Sequence, residues 1–437
     1  MKSVAIIGGG ESGIGAALLA KKKGLDVFLS DIGIIDDKSK VELISNSIPF
    51  EEGGHDYERL LVAEVVVKSP GVPEHAPALG VLQEKGRKVI SEIEFGSLFY
   101  SGLTIAITGS NGKTTTSGLL YHILLSAGLD VALGGNYGKS FARIVAEGHP
   151  AYMVLEVSSF QLDNIETFKP YISILLNITP DHLDRYKYSM DLYATAKFNI
   201  TSNQEASDYF IYNADDPEIK ARLDRFQTHA KKVPVFQKDY EQGLRTRDGE
   251  GFFEYSLMGK HNLLNGQCVV EACRLLGLTE SQINHGLATF VNLPHRLEKV
   301  TDVDGLTFIN DSKATNVDSV YYALDAMRQP VVWIAGGTDK GNDYSVLMPL
   351  VKKKVKALIC LGVDNEKLKQ SFRGVIPVIE ETRSVRQAVS LAYEHGESGD
   401  IVLLSPACAS FDLFKNYMDR GEQFKEAVLS YKHITKI

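Results

Sequence analysis

Short aliphatic runs, each ending in a polar loop rich in glycine, serine or asparagine, recur along the whole chain. They lie at residues 4–7, 27–30, 65–68, 88–90, 104–108, 152–155, 172–177, 209–212, 306–309, 331–335, 357–361 and 401–404. Near-continuous apolar runs of this length are what a strand covered on both faces looks like. Between many of them apolar residues return at helical spacing, as at Leu119, Leu120, Ile123 and Leu124, until Gly128 stops the pattern. Helices are also expected over 92–100, 191–199 and 259–276, and a small hairpin region over 238–257, with turn signals at Asp248-Gly249 and Gly251. Strands alternating with helices predict an α/β protein built on parallel sheets. A crossing helix at 92–100 and the Leu293-Pro294 break divide the chain into domains 1–92, 93–292 and 293–437.

The loops after the strands carry the chemistry. The strand at 104–108 runs into Gly109-Ser110-Asn111-Gly112-Lys113-Thr114-Thr115 and then a helix. Strand, glycine loop and helix in this order cradle phosphate: glycine lets backbone N–H groups approach the anion, and the helix start adds its positive dipole end. Lys113 would reach the β/γ-phosphates of ATP and Thr114 would meet Mg²⁺. The two glycines are three residues apart here rather than the usual five, so the match is a variant one. Glu156 ends the next strand, where such folds place a Mg²⁺ ligand, although a strand-end carboxylate can also simply face solvent. His182 follows the strand at 172–177 on the same edge and reads either as a ligand or base or as a helix cap. Lys197, in its helix, reads as a solvated lysine. The first domain opens with Gly8-Gly9-Gly10-Glu11-Ser12-Gly13 and has an acidic residue, Asp31, after its second strand. That is the pattern of a Rossmann-like domain, and alone it would suggest NAD, although the same loop holds any nucleotide diphosphate. Ser69-Pro70-Gly71 lies at a strand end where open α/β sheets bind ligands, or is a plain turn. The fold expectation is therefore three domains: Rossmann-like, a central sheet of the P-loop ATPase kind, and a C-terminal Rossmann-like domain.

Composition narrows the classes. The 437 residues are long enough for about three cores, and 44% hydrophobic with 23% charged residues is a globular balance. A net charge of −8 argues against a general nucleic-acid binder. Four scattered cysteines, with no CxxC, fit a reducing compartment and no zinc site. No apolar run approaches a membrane span and no leader pattern opens the chain, so a cytoplasmic protein is expected. The run Lys352–Lys356 reads as a solvated helix face.

Longer matches are more specific. Gly109–Thr114, Glu156 with Ser158-Ser-Phe-Gln161, residues 177–182, Gly259-Lys-His-Asn262 and His295-Arg296 resemble the shared motifs of the Mur ligases, the ATP-dependent amino-acid ligases of bacterial peptidoglycan synthesis. Residues 310–316 and 405–412 resemble those of the family's D-glutamate-adding branch. The resemblance implies phosphorylation of the carboxylate of UDP-N-acetylmuramoyl-L-alanine by ATP, then attack by the amine of D-glutamate. It implies that Gly109, Asn111, Gly112, Lys113, Thr114 and Thr115 hold the ATP phosphates, and that Asn265, Arg296 and Asp311 bind adenine, phosphate and ribose. Two Mg²⁺ ions would be held among Thr114, Glu156, His182 and Lys197, with Lys197 carbamylated by CO₂ into an anionic ligand. Lys113, Glu156, His182 and Lys197 would thus be the catalytic set. Ser12, Gly13, Ile14, Gly15, Asp31, Ser69 and Gly71 would bind the UDP moiety, with Asn136, Gln161 and His182 facing the sugar and its stem. Lys313, Thr315, Lys340, Ser410 and Tyr417 would hold D-glutamate. Ile32 stands where the family commonly has a hydroxyl residue, and Tyr417 where it has phenylalanine. A monomer that inserts in no membrane is expected, with a hinge near 292–294. The alternatives are a sister ligase or a folylpolyglutamate synthase-like ligase with another acceptor, an NAD-dependent dehydrogenase, or a non-catalytic ATP switch.

Overall fold

The structure, a computed structural model, describes residues 1–257 and 259–434. Among them are three sheets. The first contains β1 (Ser3–Ile7), β2 (Asp26–Asp31), β3 (Phe50–Glu52), β4 (Val65–Lys68) and β5 (Lys88–Ser91), in the order β3-β2-β1-β4-β5. The second contains β6 (Leu103–Thr108), β7 (Val131–Gly135), β8 (Tyr152–Glu156), β9 (Ile172–Leu175), β10 (Tyr209–Asn213) and β11 (Lys231–Val235), in the order β11-β10-β9-β6-β8-β7. The third contains β12 (Glu298–Val303), β13 (Leu306–Asn310), β14 (Val331–Ala335), β15 (Val355–Leu361), β16 (Val378–Thr382) and β17 (Ile401–Leu404), in the order β12-β13-β17-β14-β15-β16. Every pairing is parallel except that of β12 with β13. This is the three-domain α/β architecture that the alternation predicts.

Strand order decides where loops meet. In the first sheet the order reverses between β1 and β4, which brings the Gly8 and Ser69 loops together. In the second it reverses between β6 and β9, joining the Gly109 loop to the segment that carries His182. Such switch points are where open α/β sheets bind ligands.

The runs read from sequence are the buried central strands; what that reading misses lies mostly at edges. β3, β11 and β16 are short or polar edge strands, and Pro234 sits in β11, a place where an edge strand tolerates a missing N–H. β7 ends at Gly134-Gly135, where a polar turn is expected, because Gly135 lies against the Glu156 carbonyl: a Cβ there would come within 2.2 Å of that oxygen. The hairpin region is reduced to one bridge, Arg245 with Phe252.

The chain separates into two compact units, Met1–Ser256 with Leu263–Phe290, and Leu257–Asn262 with Val291–Ile437. Within the first unit, the first two sheets are joined along a seam of carboxylates. Arg143 donates to both Glu42 oxygens at 2.5 and 3.0 Å and to Glu11 at 2.7 Å, a bidentate fork with strict geometry. Gly15 lies so close to Ser140 that a Cβ would fall 2.0 Å from its hydroxyl. Buried Glu92 accepts from the Ala142 amide at 2.6 Å. Buried Glu94 accepts from the amides of Glu166, Thr167 and Phe168 and from the Thr167 hydroxyl.

Candidate active site

The β6 loop is held from both sides. Gly109 (φ +155°) and Gly112 (φ +86°) take backbone angles that side chains rarely adopt, and a Cβ on Gly112 would lie 2.6 Å from the Asn265 amide oxygen. Asn111 and Asn177 exchange two bonds, N–H to Oδ1 at 2.8 Å and Nδ2 to the carbonyl at 3.0 Å. The Ser110 hydroxyl donates to the Thr179 carbonyl, accepts from the Thr179 amide (both 2.9 Å) and lies 3.0 Å from the Tyr193 hydroxyl. Lys113 folds over the loop and donates to the carbonyls of Gly109 (2.7 Å) and Ser110 (3.0 Å). Thr114 and Thr115 are buried in the first turn of the helix Lys113–Ser126, whose N-terminal amides point into the loop.

Glu156 ends β8 beside β6, in register with Ile107. It is buried; Oε1 accepts from Asn136 Nδ2 at 2.9 Å, while Oε2 has no hydrogen-bond partner. A buried carboxylate oxygen without a donor calls for a cation. Among the described residues no cluster of three or more His, Cys, Asp or Glu is arranged for a metal. Mg²⁺ does not need one, since it binds through one or two carboxylates together with substrate phosphates and water. The donors here, one carboxylate and the Thr114 hydroxyl beside a phosphate loop, fit that ion.

Lys197 lies in the helix Met190–Phe198, fully buried, donating to the Gly109 carbonyl at 2.8 Å and lying 4.6 Å from the Tyr193 ring centre. Burial, and then the charge of Lys113, push its ammonium well below the usual lysine range. The solvated lysine expected from the residues alone is thus buried in the site. His182 has a left-handed backbone (φ +51°) and a half-exposed ring lying edge-on to Phe160 at 5.2 Å. Gln161 caps its short helix, accepting from the Ser158 amide (3.0 Å) and hydroxyl (3.1 Å), and its buried Nε2 has no partner. Lys113, Thr114, Glu156, His182 and Lys197 all stand at the C-terminal edge of the second sheet.

On the first sheet, a Cβ on Gly13 would lie 1.8 Å from the Gly8 carbonyl, so helix and strand close up only on glycine there. Ser69 donates its hydroxyl to that same carbonyl at 3.0 Å. Asp31 accepts from the amides of Gly9 (2.5 Å) and Gly33 (2.7 Å), so it shapes the loop it was expected to serve as a ribose ligand. Ser12, Ile14 and Gly15 lie in the helix Glu11–Lys22 directly behind the loop, and the Ile32 side chain is 69% exposed, leaving an apolar surface beside Asp31. Gly71 and Pro70 offer their carbonyls to Arg185.

In the second unit, the loops after β13, β14 and β17 gather at one sheet edge. Thr338 and Ala409 pair their backbones at 2.8 and 3.2 Å, bringing the Lys340 loop against the segment that ends at buried Ser410. Asp311 is buried, accepts from Ser405 at 2.9 Å and from the Leu297 amide at 3.2 Å, and is pushed up to about 7 by burial. Lys313 lies 4.0 Å over the Tyr417 ring, and Thr315 donates its amide to the Lys313 carbonyl at 2.8 Å. Arg296 offers its carbonyl to Asn292 at 3.0 Å. Sequence reasoning missed Arg420. This buried guanidinium donates to the Ser312 hydroxyl (3.0 Å) and to the carbonyls of Ser312 (2.8 Å), Cys408 (3.2 Å) and Gly336 (3.5 Å), tying three loops together. Nothing in its local sequence marks it, because every partner is remote along the chain.

Three domain families match the chain: the MurD N-terminal domain over residues 3–77, the Mur ligase middle domain over 107–273, and the Mur ligase, glutamate ligase domain over 295–408. The chain belongs to the Mur ligase family. A relative from Christiangramia forsetii, a UDP-N-acetylmuramoylalanine–D-glutamate ligase, is 50% identical over 440 residues, 98% of this chain and 99% of its own. A ligase of the same name from Bacteroides fragilis is 49% identical over 442 residues, covering 98% and 99%. Among solved structures, the UDP-N-acetylmuramate-alanine ligase of Thermotoga maritima shares the fold at a TM-score of 0.61 and 18% identity, over 99% of this chain and all of that one. The MurF ligase of the same organism, solved with ADP, scores 0.59 at 14% identity, over 93% of this chain and 95% of that one.

Proposed function

We propose that this chain joins D-glutamate to UDP-N-acetylmuramoyl-L-alanine at the expense of ATP, in peptidoglycan precursor synthesis. The observation that carries the reading is the half identity, end to end, with ligases of that name. An amine cannot displace an oxygen from a bare carboxylate, because oxide would have to leave. Transfer of the γ-phosphoryl group to the carboxylate gives an acyl phosphate and ADP. The D-glutamate amine then adds to the carbonyl carbon, loses a proton, and the tetrahedral species expels inorganic phosphate. The protein's part is mainly positioning and charge neutralisation.

In this reading the β6 loop amides and Lys113 hold the β/γ-phosphates, Lys113 by leaving its loop carbonyls for the anion. Thr114, Glu156, His182 and Lys197 are the residues that would hold two Mg²⁺ ions. When bound, these ions neutralise phosphate charge and bring the γ-phosphoryl group and the carboxylate together. Lys197 suits the role only as an anion. Its lowered basicity favours the neutral amine, which adds to CO₂ to give a carbamate and one proton. The loops of Gly8, Asp31 and Ser69 take the UDP moiety, and Asn136 and Gln161 the sugar and stem. Asn265, Arg296 and Asp311 take adenosine and phosphate, and Lys313, Thr315, Lys340, Ser410 and Tyr417 take D-glutamate. The reaction then needs the third domain, 293–437, to deliver its amino acid to the ATP loop of the second, 93–292, while the first, 1–92, holds the nucleotide. All three substrates of this reading are charged, water-soluble molecules, the reading puts every site on one chain, and no described helix is long and apolar enough to cross a membrane. These points support a cytoplasmic monomer.

The test is phosphate release by the purified protein with each substrate omitted in turn, followed by an amino-acid panel. Release that depends on ATP, Mg²⁺, UDP-N-acetylmuramoyl-L-alanine and D-glutamate together is expected. A better acceptor than D-glutamate, or turnover with a nicotinamide cofactor and no ATP, overturns the reading.

A further inference from the structure

Arg185 is absorbed by none of the roles above, yet it joins two loops that those roles need in fixed relation. It lies in the 3₁₀ turn Leu183–Tyr186, one turn beyond His182. Its guanidinium donates to the Pro70 carbonyl at 2.9 Å and the Gly71 carbonyl at 3.4 Å, on the first sheet. Its guanidinium carbon lies over the Phe160 ring, 4.2 Å from the ring centre, and Phe160 meets the His182 ring edge-on at 5.2 Å. On the other side, Tyr186 packs on Tyr193, whose hydroxyl reaches Ser110 in the phosphate loop.

The turn itself does not favour its own shape. His182, Lys187 and Tyr188 all have left-handed backbones, with φ of 51°, 52° and 57°, and none is glycine. Such residues persist only where surrounding contacts over-determine them. Arg185 supplies part of that constraint, from a different sheet.

We infer that Arg185 is a positioning residue: by gripping the 69–71 loop and stacking on Phe160, it fixes the distance between the nucleotide-sugar loop and His182. The inference rests on the ligase reading above for what the 69–71 loop and His182 hold. A planar guanidinium can reach two adjacent carbonyls and lie flat on a ring at once; an ammonium cannot. Arg185 sets where the substrate carboxylate arrives, and small misplacements of reacting groups are costly in rate.

The test is full steady-state kinetics of wild type, Arg185→Ala and Arg185→Lys, with amide hydrogen exchange on all three proteins. Arg185→Ala is expected to raise KM for UDP-N-acetylmuramoyl-L-alanine and to lower kcat, each about tenfold, with KM for ATP and D-glutamate within about twofold of wild type. Arg185→Lys should recover only part of the loss. Exchange should quicken at 69–71 and 182–188 in Arg185→Ala and remain unchanged around Glu156. A rise shared equally by all three substrates, no rise, or unchanged exchange at 69–71 overturns the inference. Inactive wild type would instead count against the ligase reading, while the exchange result would still decide whether Arg185 holds the loop.

Discussion

Lys113 and Lys197 donate to one and the same acceptor, the Gly109 carbonyl, at 2.7 and 2.8 Å. Burial first, and then repulsion between two ammonium groups on one oxygen, drives Lys197 toward its neutral form. The pairing makes Lys197 chemically distinct from other lysines of the chain.

A neutral amine in that position should take up CO₂. Incubation with ¹³C-bicarbonate is expected to give one carbamate carbonyl resonance that is absent from Lys197→Arg, whose guanidinium cannot form it. That variant should lose activity by about a hundredfold or more. A resonance that survives in Lys197→Arg, or full activity without it, would refute the assignment.

Glu156→Gln keeps the bond from Asn136 Nδ2 and removes the charge at the unpartnered oxygen. Mg²⁺ dependence should shift to higher concentration and kcat fall by roughly 10²–10³, with the melting temperature within a few degrees of wild type. Calorimetry and a Mg²⁺ titration of turnover separate the two; an unchanged Mg²⁺ requirement would remove Glu156 from the metal site.

Burial lifts Glu92 to about 8, against an ordinary value of 4.5, and the Glu11 charge adds to the lift. Its folded-state proton is therefore held more tightly than the unfolded one. Stability from this group is complete below about 4.5 and is lost as pH rises toward 8, on the order of a few kcal/mol. Glu92→Gln, neutral throughout, should flatten the fall in melting temperature between pH 6 and pH 9. An identical slope in the variant would place the pH dependence elsewhere.

Arg420→Met leaves the carbonyls of Ser312, Cys408 and Gly336 without this donor. Unfolding of the C-terminal domain should become easier by roughly 2–4 kcal/mol, and KM for D-glutamate should rise as the three loops loosen. Denaturant unfolding followed by the fluorescence of Trp333, buried in the same domain, reports the first effect. Unaltered KM would confine Arg420 to stability.

Much of this was legible in the chain itself. Each central strand announces itself as an apolar run because it is covered on both sides, and each loop with chemistry follows such a strand. The polar edge strands β3, β11 and β16 carry no such run. The antiparallel β12 (Glu298–Val303) alternates buried and charged positions only weakly, so the third sheet reads as starting at β13. Candidate ligands such as Lys113 and Glu156 stand out because they sit at fixed offsets from a strand end. Arg185 and Arg420 do not, since the carbonyls that Arg185 grips lie 114 and 115 residues away and Arg420 reaches partners up to 108 residues away. The burial of Lys197 is equally silent locally, because the Gly109 carbonyl that it meets lies 88 residues away.

The carboxylate seam bears on how such enzymes can be recombined. Glu11, Glu42 and Glu92 on one side meet Arg143 and Ala142 on the other, and the Ser91 amide donates to the Asn164 carbonyl across the same boundary. A chimaera that imports a foreign nucleotide-sugar module up to residue 92 would strand Arg143 and bring in acids that have no counterpart. Grafts that carry residues 140–147 and 164–168 along with the module should yield soluble hybrids where the shorter grafts precipitate.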